Sequence, residues 1–154
     1  MGLSLEFYAG DAATIGEDFA AIEFDGLRDG TRANAYADFS LHLVATDLDI
    51  LSALIAERVG SDSMSLSNSL AVTVGTFEGE GGAALVNQAW VHMVSSVNAA
   101  TAPELAAEWM KRVGMECGEH LEVTSDAVCA VRDLINLCQL ATRGDLDVVH
   151  AWYL

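Results

Sequence analysis

The sequence predicts an α/β or α+β fold, layered, with a mixed sheet of about five or six strands and about four helices. Three observations lead there. Period-two and period-3.6 hydrophobic stretches alternate along the chain. A length of 154 residues, with one proline and no low-complexity tract, suits a single domain over 1–154. Hydrophobic content of 52% beside a net charge of −16 requires a core with the acids segregated to its surface.

Leu3, Leu5 and Phe7 alternate with Ser4, Glu6 and Tyr8, the pattern of a half-buried strand. Asp11 or Thr14 then caps a helix carrying Ile15, Phe19 and Ile22 on one face, and Thr14 with Glu17 fits a capping box. Residues 23–35 read as a loop with two Asp/Gly turns. Phe39, Leu41 and Leu43, alternating with Asp38, Ser40 and His42, predict a second strand. Thr46 and Asp49 open a helix whose stripe is Leu48, Leu51, Ile55 and Val59, with Gly60 at the stop position. A serine-rich loop, 61–68, leads to a third strand through Leu70, Val72 and Val74.

Glu78 to Gly82 reads as a hairpin turn. Residues 84–95 fit both periods. Val86, Val91 and Val94 after a glycine-rich approach favour a strand, while Ala83, Trp90 and Val94 match a helix. Thr101-Ala-Pro-Glu104 is a capping box with proline in the first turn, followed by Leu105, Trp109 and Val113 at helical spacing and Gly114 as a stop. A short strand is expected about Leu121 and Val123. The longest helix spans 126–142, with Ala127, Val131, Leu134, Cys138 and Ala141 inward. Residues 146–153 make the last strand. Stretches 41–60 and 91–114 share an order of strand, His, cap, helix and Arg-Val-Gly. Two independent βα units using the same cap and stop chemistry account for that likeness without duplication.

The charge bears most on function. A 16.3 kDa globule exposes ~7,500 Å², so one net negative charge falls on every ~470 Å². Such a field repels nucleic acid and anionic lipid, which need Lys/Arg to neutralise phosphate, and attracts basic partners. No run of 18 apolar residues is present to span a membrane. The opening Met-Gly-Leu-Ser-Leu-Glu lacks a positive signal-peptide region and a myristoylation motif. Three cysteines, an odd count, read as reduced thiols, and a cytoplasmic location is expected.

Catalytic signatures are sparse. The glycines at 79–82 lack nucleotide-loop spacing and carry Glu78 and Glu80, which repel phosphate. No GxSxG elbow occurs. Cys117 and His120 are the one ligand-like pair, but a zinc site needs three or four ligands and no second pair has matching spacing. No cofactor or metal is therefore expected. His42 shares a predicted strand face with Asp38 and Ser40, and Glu6 joins them if the first two strands are neighbours. Such a patch has acid–base potential, although a solvated sheet face accounts equally for the alternation.

Three functions follow. The first is a soluble binding protein that masks a basic partner, in concrete form a bacterial inhibitor or immunity-type protein against a cationic toxin or nuclease. Its acidic rim is expected at Glu23, Asp25, Asp29, Glu78 and Glu80, on loops, where recognition concentrates. The second is a small enzyme or ligand-binding domain built on His42, Asp38 and Glu6. The third is a structural or homo-oligomeric accessory protein whose acidity serves solubility, as in salt-adapted proteins. Acids crowded beside exposed aromatics favour the first, a pocket of His and carboxylates the second, and an even spread the third.

Overall fold

The computed structural model describes residues 3–154 and has an α+β architecture. The opening Met-Gly dipeptide, and with it the start of the signal-peptide and myristoylation reading, lies outside the described residues. Strands β1 (Ser4–Gly10), β2 (Ala35–Asp38), β3 (Leu70–Phe77), β4 (Gly81–Val86) and β5 (Asp147–Tyr153) form one sheet in the order β2-β1-β5-β4-β3. Every pairing is antiparallel, so the sheet is not mixed. The last strand of the chain is the central one.

Helices cover both faces. On one lie α1 (Ala12–Ala20) and α2 (Phe24–Arg28), over Tyr8, Ala83, Val149 and Ala151. On the other lie α3 (Ala45–Val59), α4 (Gln88–Ser95), α5 (Ala102–Cys117) and α6 (Ser125–Gly144), over Leu5, Phe7, Ala9 and Val148. Helix α6 crosses β1 and β2 and packs against α4 and α5. The accessible surface is 7663 Å², close to the expectation from mass.

Several elements differ from the sequence reading, each for a local reason. The second strand ends at Asp38. Its carboxylate accepts the Ser40 N–H at 2.8 Å, a side-chain turn that competes with the ladder. Residues 39–44 then run irregularly, with Phe39 and Leu43 buried and His42 at φ 59°. Residues 84–95 divide between β4 and α4 because Asn87 caps the helix, accepting the Ala89 N–H at 2.8 Å. The helical period of Trp90 and Val94 was the informative one there. Helix α5 runs past Gly114 to a left-handed Gly118. Gly114 is instead a site of close approach, where an added Cβ would lie 2.5 Å from the Glu119 carbonyl oxygen.

Thr101 makes no capping bond and donates its hydroxyl to Asn98 O. Helix α3 starts one residue early, with Asp47 accepting the Val44 N–H, while Asp49 ties down Ser67. Helix α1 is capped by Asp11 rather than by a Thr14/Glu17 box. Ile22 leaves its stripe and is 60% exposed. Residues 120–124 form no strand. Stretches 41–60 and 91–114 are not repeats, since the first opens on an irregular segment and the second inside α4.

His150 sits on central strand β5, 3% exposed, its Nδ1 3.0 Å from the Glu6 carbonyl oxygen. Burial pushes its pKa down to about 4, against the opposing pull of that backbone bond and of Asp49. The unfolded imidazole titrates near ~6.5, so between that value and about 4 the unfolded chain binds the extra proton. His150 therefore contributes stability that is complete above pH ~6.5 and lost as pH falls toward 4, roughly 3 kcal/mol in all. Urea unfolding of wild type and His150→Phe between pH 4 and 8 tests this. The variant is expected to show a shallower slope, and equal slopes would refute the assignment.

Candidate functional site

The face under α1 and α2 holds the densest polar constellation among the described residues. Period-two alternation turns Glu6 and Tyr8 of β1 to this face, opposite Leu5 and Phe7. Tyr36 of β2 lies directly across from Tyr8 in the register, and Tyr153 reaches in from β5. Glu6 is only 2% exposed. Its Oε1 accepts from Arg28 of α2 at 2.6 Å, Tyr153 at 3.0 Å and Tyr36 at 3.2 Å, and its Oε2 accepts from the Tyr8 hydroxyl. Arg28 also donates to the Tyr153 oxygen.

A carboxylate offers about four acceptor positions, two on each oxygen; here three donors share Oε1 and the Tyr8 hydroxyl takes one position on Oε2. Burial first, and the Glu6 charge second, raise the pKa of Tyr8, Tyr36 and Tyr153, so all three phenols remain donors at neutral pH. The Arg28 pKa is also raised; burial opposes the charged form, but Glu6 outweighs it. The network surrounds Glu6 with donors, three on Oε1 and one on Oε2, and leaves it 2% exposed. It fastens α2 to three strands of the sheet.

Above this network is an aromatic cluster. Phe24 stacks on Tyr153 with centroids 4.9 Å apart and lies under the Arg28 guanidinium at 5.2 Å. Phe77, at the end of β3, stands 6.3 Å from both Phe24 and Tyr153. Phe19 of α1 closes the cluster, 5.1 Å from Phe77. Phe24, Phe77 and Tyr153 are half-buried, whereas Phe19 is sealed.

This cluster joins two acidic segments that are far apart in sequence. Glu23 and Asp25 flank Phe24, and Asp29 follows α2. Glu78 follows Phe77 and begins the β3–β4 turn, at φ 39° with Gly79 at 72°, a left-handed pair suited to a tight hairpin. Glu80 accepts the Leu154 N–H through its backbone oxygen at 3.2 Å, beside Tyr153. All five acids are exposed, and none makes an ion pair among the described residues. The Thr31 hydroxyl and N–H lower the pKa of the Asp29 carboxyl. The two arginines nearby are already engaged, Arg28 by Glu6 and Arg32 by Asp18.

The other residues singled out from the sequence are dispersed. Glu6 and Asp38 are register partners, but Asp38 is exposed and bonded to Ser40. His42 stands outside the strand, exposed, between β2 and α3, so the expected sheet-face patch of all three is not assembled. Cys117 ends α5 and His120 follows it, both exposed. Among the described residues, no group of three or more His, Cys, Asp or Glu side chains converges as a metal site. Arg28, Tyr36, Tyr153, Phe24 and Phe77 escaped sequence reasoning. The available signal was Phe24 and Leu27, spaced i and i+3 in a stretch read as loop, which require an apolar surface to cover.

In comparisons with known proteins, the chain matches no family model, no curated protein and no solved structure. No helix among the described residues is long and apolar enough to cross a membrane.

Proposed function

We propose that this protein binds and masks a basic protein partner, as an immunity-type inhibitor of a cationic toxin or nuclease does, through the face formed by α2 and the β3–β4 turn. The observation that carries the reading is the convergence of two acidic segments on either side of one half-buried aromatic cluster. Net charge alone would speed encounter with any cation. Binding energy concentrates where aromatic anchors are desolvated and charges are matched around them. The Glu6 network supports the reading by holding α2 in place, which lowers the ordering cost of association.

The test is capture from native lysate at low salt, with salt-gradient elution. Wild type is compared with a variant carrying Glu23→Gln, Asp25→Gln, Glu78→Gln and Glu80→Gln. A discrete basic protein released from wild type at moderate salt and not retained by the variant is the expected result. Diffuse basic proteins held equally by both would overturn the proposal and make the acidity a matter of solubility.

A kinetic prediction accompanies it. Charge reversal at Glu78 and Glu80 is expected to slow association with the captured partner about tenfold or more at low salt, with the difference fading as salt screens the field. Stopped-flow or surface-based on-rates at two ionic strengths measure it. An unchanged on-rate removes the turn from the site.

A further inference from the structure

The opposite side of the sheet holds a cavity that the acidic face does not use. Its walls are Leu3 and Leu5, Ala45 at the start of α3, Leu66 and Ser67, Leu70, and His150 with Trp152 on β5. Its volume is about 170 Å³, comparable with engineered apolar cavities of ~150 Å³ that take up benzene. The walls are otherwise aliphatic and aromatic, so their polar atoms decide what the cavity would hold.

His150 is the decisive group. A carbonyl oxygen only accepts, so the contact with Glu6 O places the proton on Nδ1 and leaves a lone pair on Nε2. Nε2 has no hydrogen-bond partner among the described residues. Yet no buried side-chain nitrogen or oxygen among them is sealed without a partner. Nε2 therefore keeps accessible surface, and the cavity is where the ring meets open space. The second polar wall residue, Ser67, gives its hydroxyl hydrogen to Asp49 Oδ2 at 2.6 Å and its N–H to Oδ1 at 2.9 Å. Both side chains thus present acceptors, and a ligand must bring the hydrogen.

From this wall chemistry we infer a binding site for a small, neutral, apolar molecule of phenol size that donates one hydroxyl to Nε2 of His150. A carboxylate or phenolate would bring a lone pair against a lone pair, near the negative Asp49. An ammonium group would lose most of its hydration for one good partner. Burial keeps His150 neutral down to about pH 4, so the acceptor persists through the physiological range. The cavity and the acidic face lie on opposite sides of the sheet and share no wall residue.

The experiment is an NMR titration of the isotope-labelled full chain with phenol, toluene, benzylamine and benzoate. It follows the methyls of Leu3, Leu5, Leu66 and Leu70, the Trp152 indole and the His150 ring nitrogens. Phenol is expected to give saturable shifts confined to these groups, to move the Nε2 resonance of His150, and to bind on the order of tenfold tighter than toluene, one hydrogen bond's worth. Benzoate and benzylamine are expected to bind more weakly than phenol. In His150→Phe, toluene binding should persist and the preference for phenol vanish. Equal affinities for phenol and toluene, preference for either charged probe, absence of saturable shifts, or a phenol preference that survives in the variant would each overturn the proposal. Should His150→Phe fail to fold, the wild-type ratio and the Nε2 shift decide it alone.

Discussion

Replacing Glu6 by alanine is expected to destabilise the protein by about 2–4 kcal/mol, because it removes the shared acceptor of buried phenol donors, while Arg28, 36% exposed, keeps access to water. Arg28 and the hydroxyls of Tyr8, Tyr36 and Tyr153 would then face one another with donors and no common acceptor. Urea denaturation at neutral pH measures the loss. A cost below about 1 kcal/mol would mean the cluster re-satisfies itself with water, contrary to this account. The cycle with Arg28→Ala separates charge pairing from packing. Once Glu6 is gone, loss of the guanidinium removes a stranded cation, so the double variant should be more stable than the summed single costs imply.

A spectroscopic readout distinguishes this from simple core damage. The three tyrosines titrate above the ordinary phenol value, for burial first and the Glu6 charge second. A raised folded pKa contributes stability that is complete below pH ~10 and lost as pH rises beyond it. Removing Glu6 removes the second cause, so the alkaline ultraviolet titration of the variant should begin at lower pH. Loosening α2 should also weaken the partner binding proposed for the acidic face, since Arg28 is its tether to the sheet.

What the sequence could reveal about these features depended on the range of the interactions. Strand β1, helix α6 and the turn at Glu78 follow from periodicity and turn chemistry within a few residues, and each was legible. Strand β2 was displaced by an Asp38 side-chain turn, and the start of α4 was set by Asn87. Both are single hydrogen bonds that a hydrophobic pattern does not register. Alternation also placed Glu6 and Tyr8 together, and only the covering of their face was missed. Half-buried strands and strands buried on both sides differ in what lies above them, and α2 is too short, at 5 residues, to announce itself by period. The acidic segments at 23–29 and 78–80 were visible one by one. Their meeting across Phe24 and Phe77 depends on tertiary contacts between residues more than fifty positions apart.

Gly16→Ala is expected to destabilise by about 1–3 kcal/mol, and Gly16→Val by more, although glycine to alanine inside a helix ordinarily stabilises by ~1 kcal/mol. The sign reverses because α1 touches β3 backbone to backbone. A Cβ at Gly16 would lie 2.8 Å from the Val74 carbonyl carbon and nearer still to its oxygen. A Cβ at Gly75 would lie 2.5 Å from the Gly16 carbonyl oxygen. Neither obstacle is the tip of a flexible side chain, so the helix must lift from the sheet, drawing Phe19 away from Phe77. Thermal unfolding is the check, at ~2–4 °C per kcal/mol for a domain of this size. An unchanged or higher Tm would show that α1 accommodates the methyl without moving. Gly75→Ala should cost a similar amount for the reciprocal reason. The two together should cost less than their sum, because a helix already lifted by one methyl has made room for the other. Strict additivity would mean that each methyl strains only its own element, and that the α1–β3 contact is not the shared constraint.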